Sequence, residues 1–148
     1  MNRNYTLPTR RTGAEIEARW QATPRLNLSA RIGHIVPRFV GANADIPLMP
    51  RSTASVQAQW KFDQQLRWSL ALRYVGVRYD GNDFSNQAWP RLPSYTVVDT
   101  TWQKKIGATQ WSLGINNLFN RTYSTLGYSA TYYPMPDRSV YARLRLRW

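Results

Sequence analysis

Apolar and polar residues alternate along most of this chain. Residues 14–21, AEIEARWQ, put an apolar side chain at every even position and a charged or amide side chain at every odd position. Because successive side chains of a β-strand point to opposite faces, this spacing predicts a two-faced strand. The same pattern recurs in RLNLSARI (25–32), STASVQAQWKF (52–62), LRWSLALRYVG (66–76), SYTVVDTTWQ (94–103), TQWSLGINN (109–117) and SVYARLRLRW (139–148). The sequence therefore predicts an all-β fold of about seven antiparallel strands.

The links between these predicted strands alternate in length. Short links occupy residues 22–25, 62–65 and 104–108, and long links occupy residues 37–50, 80–93 and 120–137. Short turns at one end and long loops at the other are typical of up-and-down transmembrane β-barrels, whose turns are periplasmic and whose loops are extracellular. We therefore predict that the strands cross the outer membrane of a Gram-negative bacterium.

Strand length and aromatic placement support a membrane barrel over a soluble sheet. Strands of about 9–13 residues exceed the five or six usual in soluble sheets and are long enough to cross a bilayer when tilted. Aromatic residues near strand ends would form the girdle at the membrane surface: Trp20, Trp60, Phe62, Tyr79, Tyr95, Trp102, Trp111 and Trp148. The apolar face should then contact lipid, and the polar face should line the lumen.

Composition narrows the possible chemistry. The chain carries a net charge of +12, has no cysteine and has a single histidine, His34. We therefore predict no metal site and no cofactor. His34 and Ser29 are five residues apart and so fall on opposite strand faces, which argues against a lipid-modifying enzyme. A soluble nucleic-acid binder would also be basic and aromatic, but the long apolar faces argue against it.

Four stretches together resemble the C-terminal part of the β-barrel of TonB-dependent outer-membrane receptors. They are RRTGAEIEARW, LPSYTVVDTTWQ, WSLGINNLFNRTYS and YYPMPDRSVYARLRLRW. INNLFNRTY is similar to the family signature Asn-Leu-Phe-(Asp/Asn)-x-x-Tyr through Asn117, Leu118, Phe119, Asn120 and Tyr123. The family usually has Gly-Arg before its last strand and a terminal Phe, where this chain has Asp137-Arg138 and Trp148.

The resemblance implies that residues 1–148 are one segment of a larger barrel. Family barrels have about 22 strands around an N-terminal plug domain, and no plug is recognisable here. Seven strands would also place the two chain ends on opposite sides of the membrane, whereas bacterial single-chain barrels have an even number of strands. The implied partners are outer-membrane lipid, the plug domain and upstream strands, the barrel-assembly machinery and, through the complete receptor, the TonB energy-coupling complex.

The predicted functional residues fall into three sets. The basic residues expected to face the lumen are Arg19, Arg31, Lys61, Arg67, Arg73, Arg143, Arg145 and Arg147. They would attract anionic ligands, or pair with the plug or with Glu15, Glu17 and Asp99. The loop residues expected to contact ligand are Asn82, Asn86, Trp89, Tyr128, Tyr132 and Tyr133. The resemblance implies an assembly signal in Val140, Leu144, Leu146 and Trp148, where Trp148 would equally serve as an interfacial anchor.

These features predict a non-enzymatic segment of a receptor for TonB-dependent uptake of a scarce nutrient, with a ferric siderophore as the expected ligand. The segment alone is expected to be inactive, because the coupling elements belong to other parts of such receptors. The alternative is an independent small outer-membrane barrel with a structural or adhesive role.

Overall fold

The structure is a computed structural model that describes residues 7–146, and these residues form an all-β fold. The strands are β1 (Thr9–Thr23), β2 (Leu26–Phe39), β3 (Ser52–Lys61), β4 (Leu66–Val75), β5 (Tyr95–Ile106), β6 (Thr109–Asn116), β7 (Ser124–Tyr128), β8 (Thr131–Pro134) and β9 (Ser139–Leu146). Residues 7–146 contain no helix long and apolar enough to cross a membrane. The prediction of an all-β chain is confirmed.

Seven of these strands form one open antiparallel sheet in the order β1-β2-β3-β4-β5-β6-β9. Each strand pairs with its neighbour along the chain except that β7 and β8 form a separate hairpin between β6 and β9. The seven predicted strands are all present. The hairpin lies in the link 120–137, which the sequence predicts to be only a loop, because its two strands are short and lack regular alternation.

The register keeps the two predicted faces separate across the whole sheet. A row of directly paired residues on the apolar face contains Trp20, Leu28, Ala58, Leu70, Thr100, Ile115 and Val140. The next row, on the polar face, contains Gln21, Asn27, Gln59, Ser69, Thr101, Gly114 and Tyr141. Ile16 is 72% exposed and Val140 is 67% exposed. Such a continuous exposed apolar surface suits contact with lipid.

Strands β1 and β2 extend further than the alternation predicts. β2 continues through Pro37 to Phe39, in a region that the sequence assigns to a loop. The Pro37 carbonyl accepts from the Ile46 N–H at 2.8 Å, on the side of β2 that faces away from β1. The N–H that proline lacks would point to that same side, beyond the end of the β2–β3 pairing at His34 and Ser52. Pro37 therefore removes no bond from either ladder, which is where a strand tolerates proline.

Aromatic rings form a continuous stack at the short-turn end of the apolar face. Ring centroids lie 6.0 Å apart for Trp60 and Phe62, 5.6 Å for Phe62 and Trp102, and 5.8 Å for Trp102 and Trp68. The indole N–H of Trp68 donates to the Thr100 hydroxyl at 2.7 Å, so this polar group is satisfied on the apolar face. The stack has the position and composition of an interfacial girdle.

The buried core of the described residues lies at the opposite, long-loop end of the sheet. Phe39, Ala44 and Ile46 pack together there, and Ala42 and Met49 cover them. Because a single sheet layer buries neither of its faces by itself, the loops supply the packed interior.

Candidate functional site

Three long connections meet at one end of the sheet and form what we call the loop cap, residues 40–51, 76–94 and 117–138. Backbone hydrogen bonds join them: the Leu48 N–H donates to the Tyr79 carbonyl at 2.9 Å, and the Gly81 N–H donates to the Gly127 carbonyl at 2.8 Å. The loop cap is therefore one folded unit and not three independent loops.

Asp45 joins the first connection to the second through its backbone, and its buried carboxylate binds Arg51 within the first connection. The Nε and Nη2 atoms of Arg51 donate to the two carboxylate oxygens of Asp45, at 2.6 and 2.9 Å. The hydrogen bond to Asp45 raises the pKa of the Arg51 guanidinium. The Asp45 N–H donates to the side-chain oxygen of Asn86 at 2.5 Å, and the Asn86 amide donates back to the Asp45 carbonyl at 3.1 Å. The Asn86 side chain thus satisfies both the N–H and the carbonyl of Asp45, as the backbone of a neighbouring strand would.

Asp80 fixes the second connection to the β7–β8 hairpin. Its fully buried carboxylate accepts the backbone N–H groups of Ser129 and Ala130, at 2.8 and 3.1 Å. Ser129 and Ala130 both have positive φ, 53° and 62°, as a tight two-residue hairpin turn requires. Neither residue is glycine, so the Asp80 carboxylate stabilises a backbone conformation that these residues rarely adopt by themselves.

Asp83 organises the second connection internally. Its fully buried carboxylate accepts backbone N–H groups of Gln87 and Ala88, both at 3.0 Å, and the Ser85 hydroxyl at 3.1 Å. Burial alone would raise the pKa of Asp83, but these hydrogen bonds act in the opposite direction and hold the pKa below its usual range. These hydrogen bonds therefore favour the charged form of the Asp83 carboxylate within residues 76–94.

Arg78 is a buried cation within the loop cap. It is 3% exposed, donates to the carbonyls of Ser124 and, at 3.5 Å, Gly76, and lies 5.3 Å from the centroid of the Tyr95 ring. Burial lowers the pKa of Arg78. No carboxylate of residues 7–146 lies within 4.0 Å of its guanidinium. The Tyr95 ring in turn packs against Tyr123, with centroids 4.4 Å apart.

All six residues predicted to contact ligand lie in the loop cap, but they differ in availability. The amide of Asn82 donates to the Ser129 hydroxyl at 2.9 Å, so Asn82 and Asn86 already serve the structure of the loops. The four aromatic residues remain between 39% and 54% exposed: Trp89, Tyr128, Tyr132 and Tyr133. Their ligand contact stays a prediction. Sequence reasoning did not single out the aspartates that hold the loops, although Asp next to Gly and Asn in 80–83 is a turn signal.

The signature residues build the turn that leaves β6. The Asn117 N–H donates to the Asp99 carboxylate at 2.8 Å, and the Asn117 side chain exchanges hydrogen bonds with the backbone of Arg121, at 2.8 and 2.9 Å. Asn117 and Asn120 both have positive φ, which asparagine tolerates well. The Asn120 side chain accepts the Arg138 N–H at 2.8 Å, just before β9. Leu118 is partly buried and Phe119 is 75% exposed.

The predicted basic residues that lie within residues 7–146 share the polar face of the sheet but differ in their partners. Arg31 contacts Glu15 and Glu17 at 3.0 and 2.7 Å, and Arg19 contacts Glu17 at 2.7 Å. Glu17, Arg19 and Arg31 line a cavity of about 590 Å³ over β1–β3. Asp99, the third expected partner, accepts from Asn117 instead. Within residues 7–146 no carboxylate lies within 4.0 Å of the remaining cations, Lys61, Arg67, Arg73, Arg143 and Arg145.

The expected assembly signal lies on β9, at the edge of the sheet. Val140, Leu144 and Leu146 share the apolar face and are exposed, as the alternation predicts. Arg147 and Trp148 lie outside the described residues.

Comparison with known proteins gives consistent relatives. The sequence model of the family described as "TonB dependent receptor-like, beta-barrel" matches residues 2–118. The ferrioxamine receptor of Yersinia enterocolitica is 29% identical over 145 residues, which cover 88% of this chain and 20% of that receptor. The closed form of the ferric-catecholate import receptor Fiu from E. coli K12 has a TM-score of 0.78 at 18% identity, covering 93% of this chain and 21% of its own. The copper transporter OprC has a TM-score of 0.79 at 17% identity, covering 93% and 23%.

The chain thus spans about a fifth of the length of the relatives it matches. The match to the family model covers most of the chain, and the solved structures share its antiparallel strand arrangement. The fold and the apolar face of the sheet agree with a location in the Gram-negative outer membrane. This chain therefore belongs to the family of TonB-dependent receptor-like β-barrels.

Proposed function

We propose that residues 1–148 work as the C-terminal segment of a larger receptor barrel that imports a scarce nutrient across the outer membrane. The single observation that carries the proposal is the construction of the loop cap. Buried carboxylates brace the first and second connections internally, and Asp80 joins the second to the third, while four aromatic side chains remain exposed. A rigid loop scaffold with exposed aromatic groups suits recognition of a large ligand, because little conformational entropy is lost on binding.

The open sheet supports a role within a larger barrel. Within residues 7–146, β1 and β9 each pair with a neighbour on one side only. An unpaired strand edge is unfavourable in hydrocarbon, so both edges need further strands. No feature of the sheet favours the alternative of a small closed barrel, which requires β1 and β9 to pair.

A ferric siderophore is the ligand class that we propose. The similar receptors named above take ferrioxamine and ferric catecholates, and a third relative of the same fold is a copper transporter. Tyr128, Tyr132 and Tyr133 offer flat apolar rings with hydroxyl groups at their ends, which suits a chelate that combines apolar rings or chains with polar oxygens. Beneath them, the cations of the polar face would draw an anionic chelate into the lumen.

The proposed partners follow from this role. Lipid would cover the apolar face, and a plug domain would cover the polar face. The TonB complex would supply energy to the complete receptor, and the barrel-assembly machinery would insert it. The relatives named above are receptors and a transporter, so we propose no catalytic activity.

Uptake by the complete receptor tests this proposal. The receptor that contains residues 1–148 would be expressed in a Gram-negative host that lacks its own siderophore receptors, and uptake of radioactive iron would be followed. A ferric hydroxamate, a ferric catecholate, haem and a copper salt serve as parallel substrates. We expect uptake of one ferric siderophore that stops when the energy-coupling complex is deleted. Copper uptake without iron uptake would contradict the proposed ligand class.

Two variants separate ligand recognition from folding. Replacing Tyr132 and Tyr133 by alanine should weaken uptake without changing the heat-modifiable mobility of the barrel on gels. The matched control replaces Phe119, an exposed aromatic residue of the same connection that is not among the proposed contacts. Residues 1–148 expressed alone with a signal peptide should give no heat-modifiable monomer. A stable monomer would favour the small-barrel alternative.

A further inference from the structure

A cavity of about 370 Å³ lies where the apolar face of the sheet meets the loop cap. We call it the rim pocket and define it by six of its lining residues, His34, Arg51, Tyr74, Arg78, Tyr79 and Arg91. It is separate from the cavity on the polar face, which no residue of the rim pocket lines. Its volume lies within the range of small-molecule sites, about 300–1,000 Å³.

The register places one wall of the rim pocket on the apolar side of the sheet. His34 pairs with Ser52, and Tyr74 pairs with Ala54. Both pairs continue the alternation of Ile32 and so project from the same face as the residues that meet lipid. An acyl chain lying against that face would therefore reach the rim pocket at the long-loop end of the sheet.

The other wall of the rim pocket is cationic. Arg51, Arg78 and Arg91 line it together with a single carboxylate, Asp45, which Arg51 already binds with two hydrogen bonds. Arg91 is exposed and lies 4.5 Å from the centroid of the Tyr79 ring. Within residues 7–146, neither Arg78 nor Arg91 has a carboxylate within 4.0 Å. The pocket thus carries positive charge that the described residues leave uncompensated.

We propose that the rim pocket binds the phosphate group of an anionic membrane lipid whose acyl chains lie on the apolar face. Guanidinium groups form short charge-assisted hydrogen bonds with phosphate. The His34 ring, which contacts the Ser52 hydroxyl at 3.1 Å, and the Tyr74 and Tyr79 side chains add polar groups at the level where a headgroup lies. Basic pockets at the membrane surface are a recurring way to hold anionic headgroups. The proposal does not depend on which nutrient the receptor imports.

Lipid binding to the complete receptor in detergent micelles tests this site. The probes are dimyristoyl phosphatidylglycerol, which is anionic, dimyristoyl phosphatidylcholine, which has the same chains and no net charge, and inorganic phosphate. Native mass spectrometry would give the affinity of each. We expect the anionic lipid to bind more tightly than the neutral one. Equal binding of the two lipids would overturn the proposal.

The variant Arg91→Gln removes one uncompensated cation of the pocket, and Arg25→Gln is its matched control in an exposed turn at the other end of the sheet. One cation near the membrane surface contributes about 1 kcal/mol, so Arg91→Gln should weaken phosphatidylglycerol binding about fivefold. Arg25→Gln should leave that binding within about twofold of the parent. Unchanged binding in Arg91→Gln would contradict the assignment, and so would inorganic phosphate that binds as tightly as the anionic lipid.

A second variant retains every charge and fills the pocket. Val77 lines the rim pocket and is 46% exposed, so Val77→Trp adds volume at its surface. Phosphatidylglycerol binding should fall in a variant whose barrel keeps its heat-modifiable mobility. If Arg91→Gln fails to fold, this variant decides: retained lipid binding would overturn the proposal, and lost binding would support it.

Discussion

The spanning sheet and the loop cap of this chain are built on opposite principles. The sheet is held by regular backbone ladders, and its large side chains, such as Ile16 and Trp20, remain exposed on the apolar face. The loop cap has little regular structure. It is held by individual buried carboxylates, such as those of Asp80 and Asp83, that follow no repeating pattern. The membrane stabilises a repetitive surface, whereas a loop exposed to water needs specific hydrogen bonds to become rigid. Substitutions should therefore have small effects in the sheet and large effects in the cap.

Removing the Asp80 carboxylate should have the largest effect. Asp80→Ala leaves the N–H groups of Ser129 and Ala130 without their acceptor in a turn of unfavourable φ. Hydrogen bonds to a charged group of this kind contribute about 1.5–3 kcal/mol, so the hairpin should detach from residues 76–94. Limited proteolysis of the complete receptor should show new cleavage at the hairpin, while the heat-modifiable barrel persists.

The control for that experiment is Asp137→Ala, which removes an exposed carboxylate from the connection that contains the hairpin. Cleavage of this variant should match the parent. Unfolding of the whole barrel by Asp80→Ala would contradict the separation of the cap from the sheet.

The two regions also differ in how far sequence alone describes them. Alternation predicts the seven strands and their faces because a sheet with one apolar and one polar face imposes a period of two on every strand. It misses the extension of β2 through Pro37, since the outcome depends on which side of the strand the missing N–H faces. It also misses the β7–β8 hairpin, because its strands are short and lack regular alternation. It misses the role of Asp80, because Ser129 and Ala130 lie about 50 residues further along the chain and no local period connects them to it.

Acid should loosen the loop cap through Asp83. The pKa of this carboxylate lies below its usual range in the folded protein, because hydrogen bonds from Gln87 and Ala88 outweigh burial. Its contribution to stability is therefore complete above the pKa of an unfolded aspartate and is lost as the pH falls through the lower, folded value. Proteolysis of residues 80–93 should stay constant from neutral to mildly acidic pH and rise in strong acid. Asp83→Asn should be cleaved readily at every pH, and equal resistance of both proteins would contradict this role.

Crowding of the polar face at Gly114 should have a smaller effect. A Cβ atom at this position would clash with the ring of Tyr141, whose hydroxyl contacts Thr101 at 3.1 Å. Because a side chain can move away where backbone cannot, Gly114→Ala should displace the ring, lose that hydrogen bond and cost about 1 kcal/mol. Urea unfolding from phospholipid vesicles measures the free energy of unfolding. In a Tyr141→Ala background the same change should cost nothing, and an equal cost in both backgrounds would exclude the ring as its cause.

The smallest effect is expected from the ion pairs of the polar face. The Arg31 side chain is 56% exposed beside Glu17, and exposed pairs of this kind are largely screened by water and salt. Glu17→Gln should therefore leave the free energy of unfolding in urea unchanged while the polar face is open to water. The converse control is Gln57→Glu, which adds a carboxylate to the same cavity. A marked loss of stability in the complete receptor would mean that another domain covers this face and removes the pair from water. Comparing the receptor with and without the proposed plug domain would then locate the surface on which that domain rests.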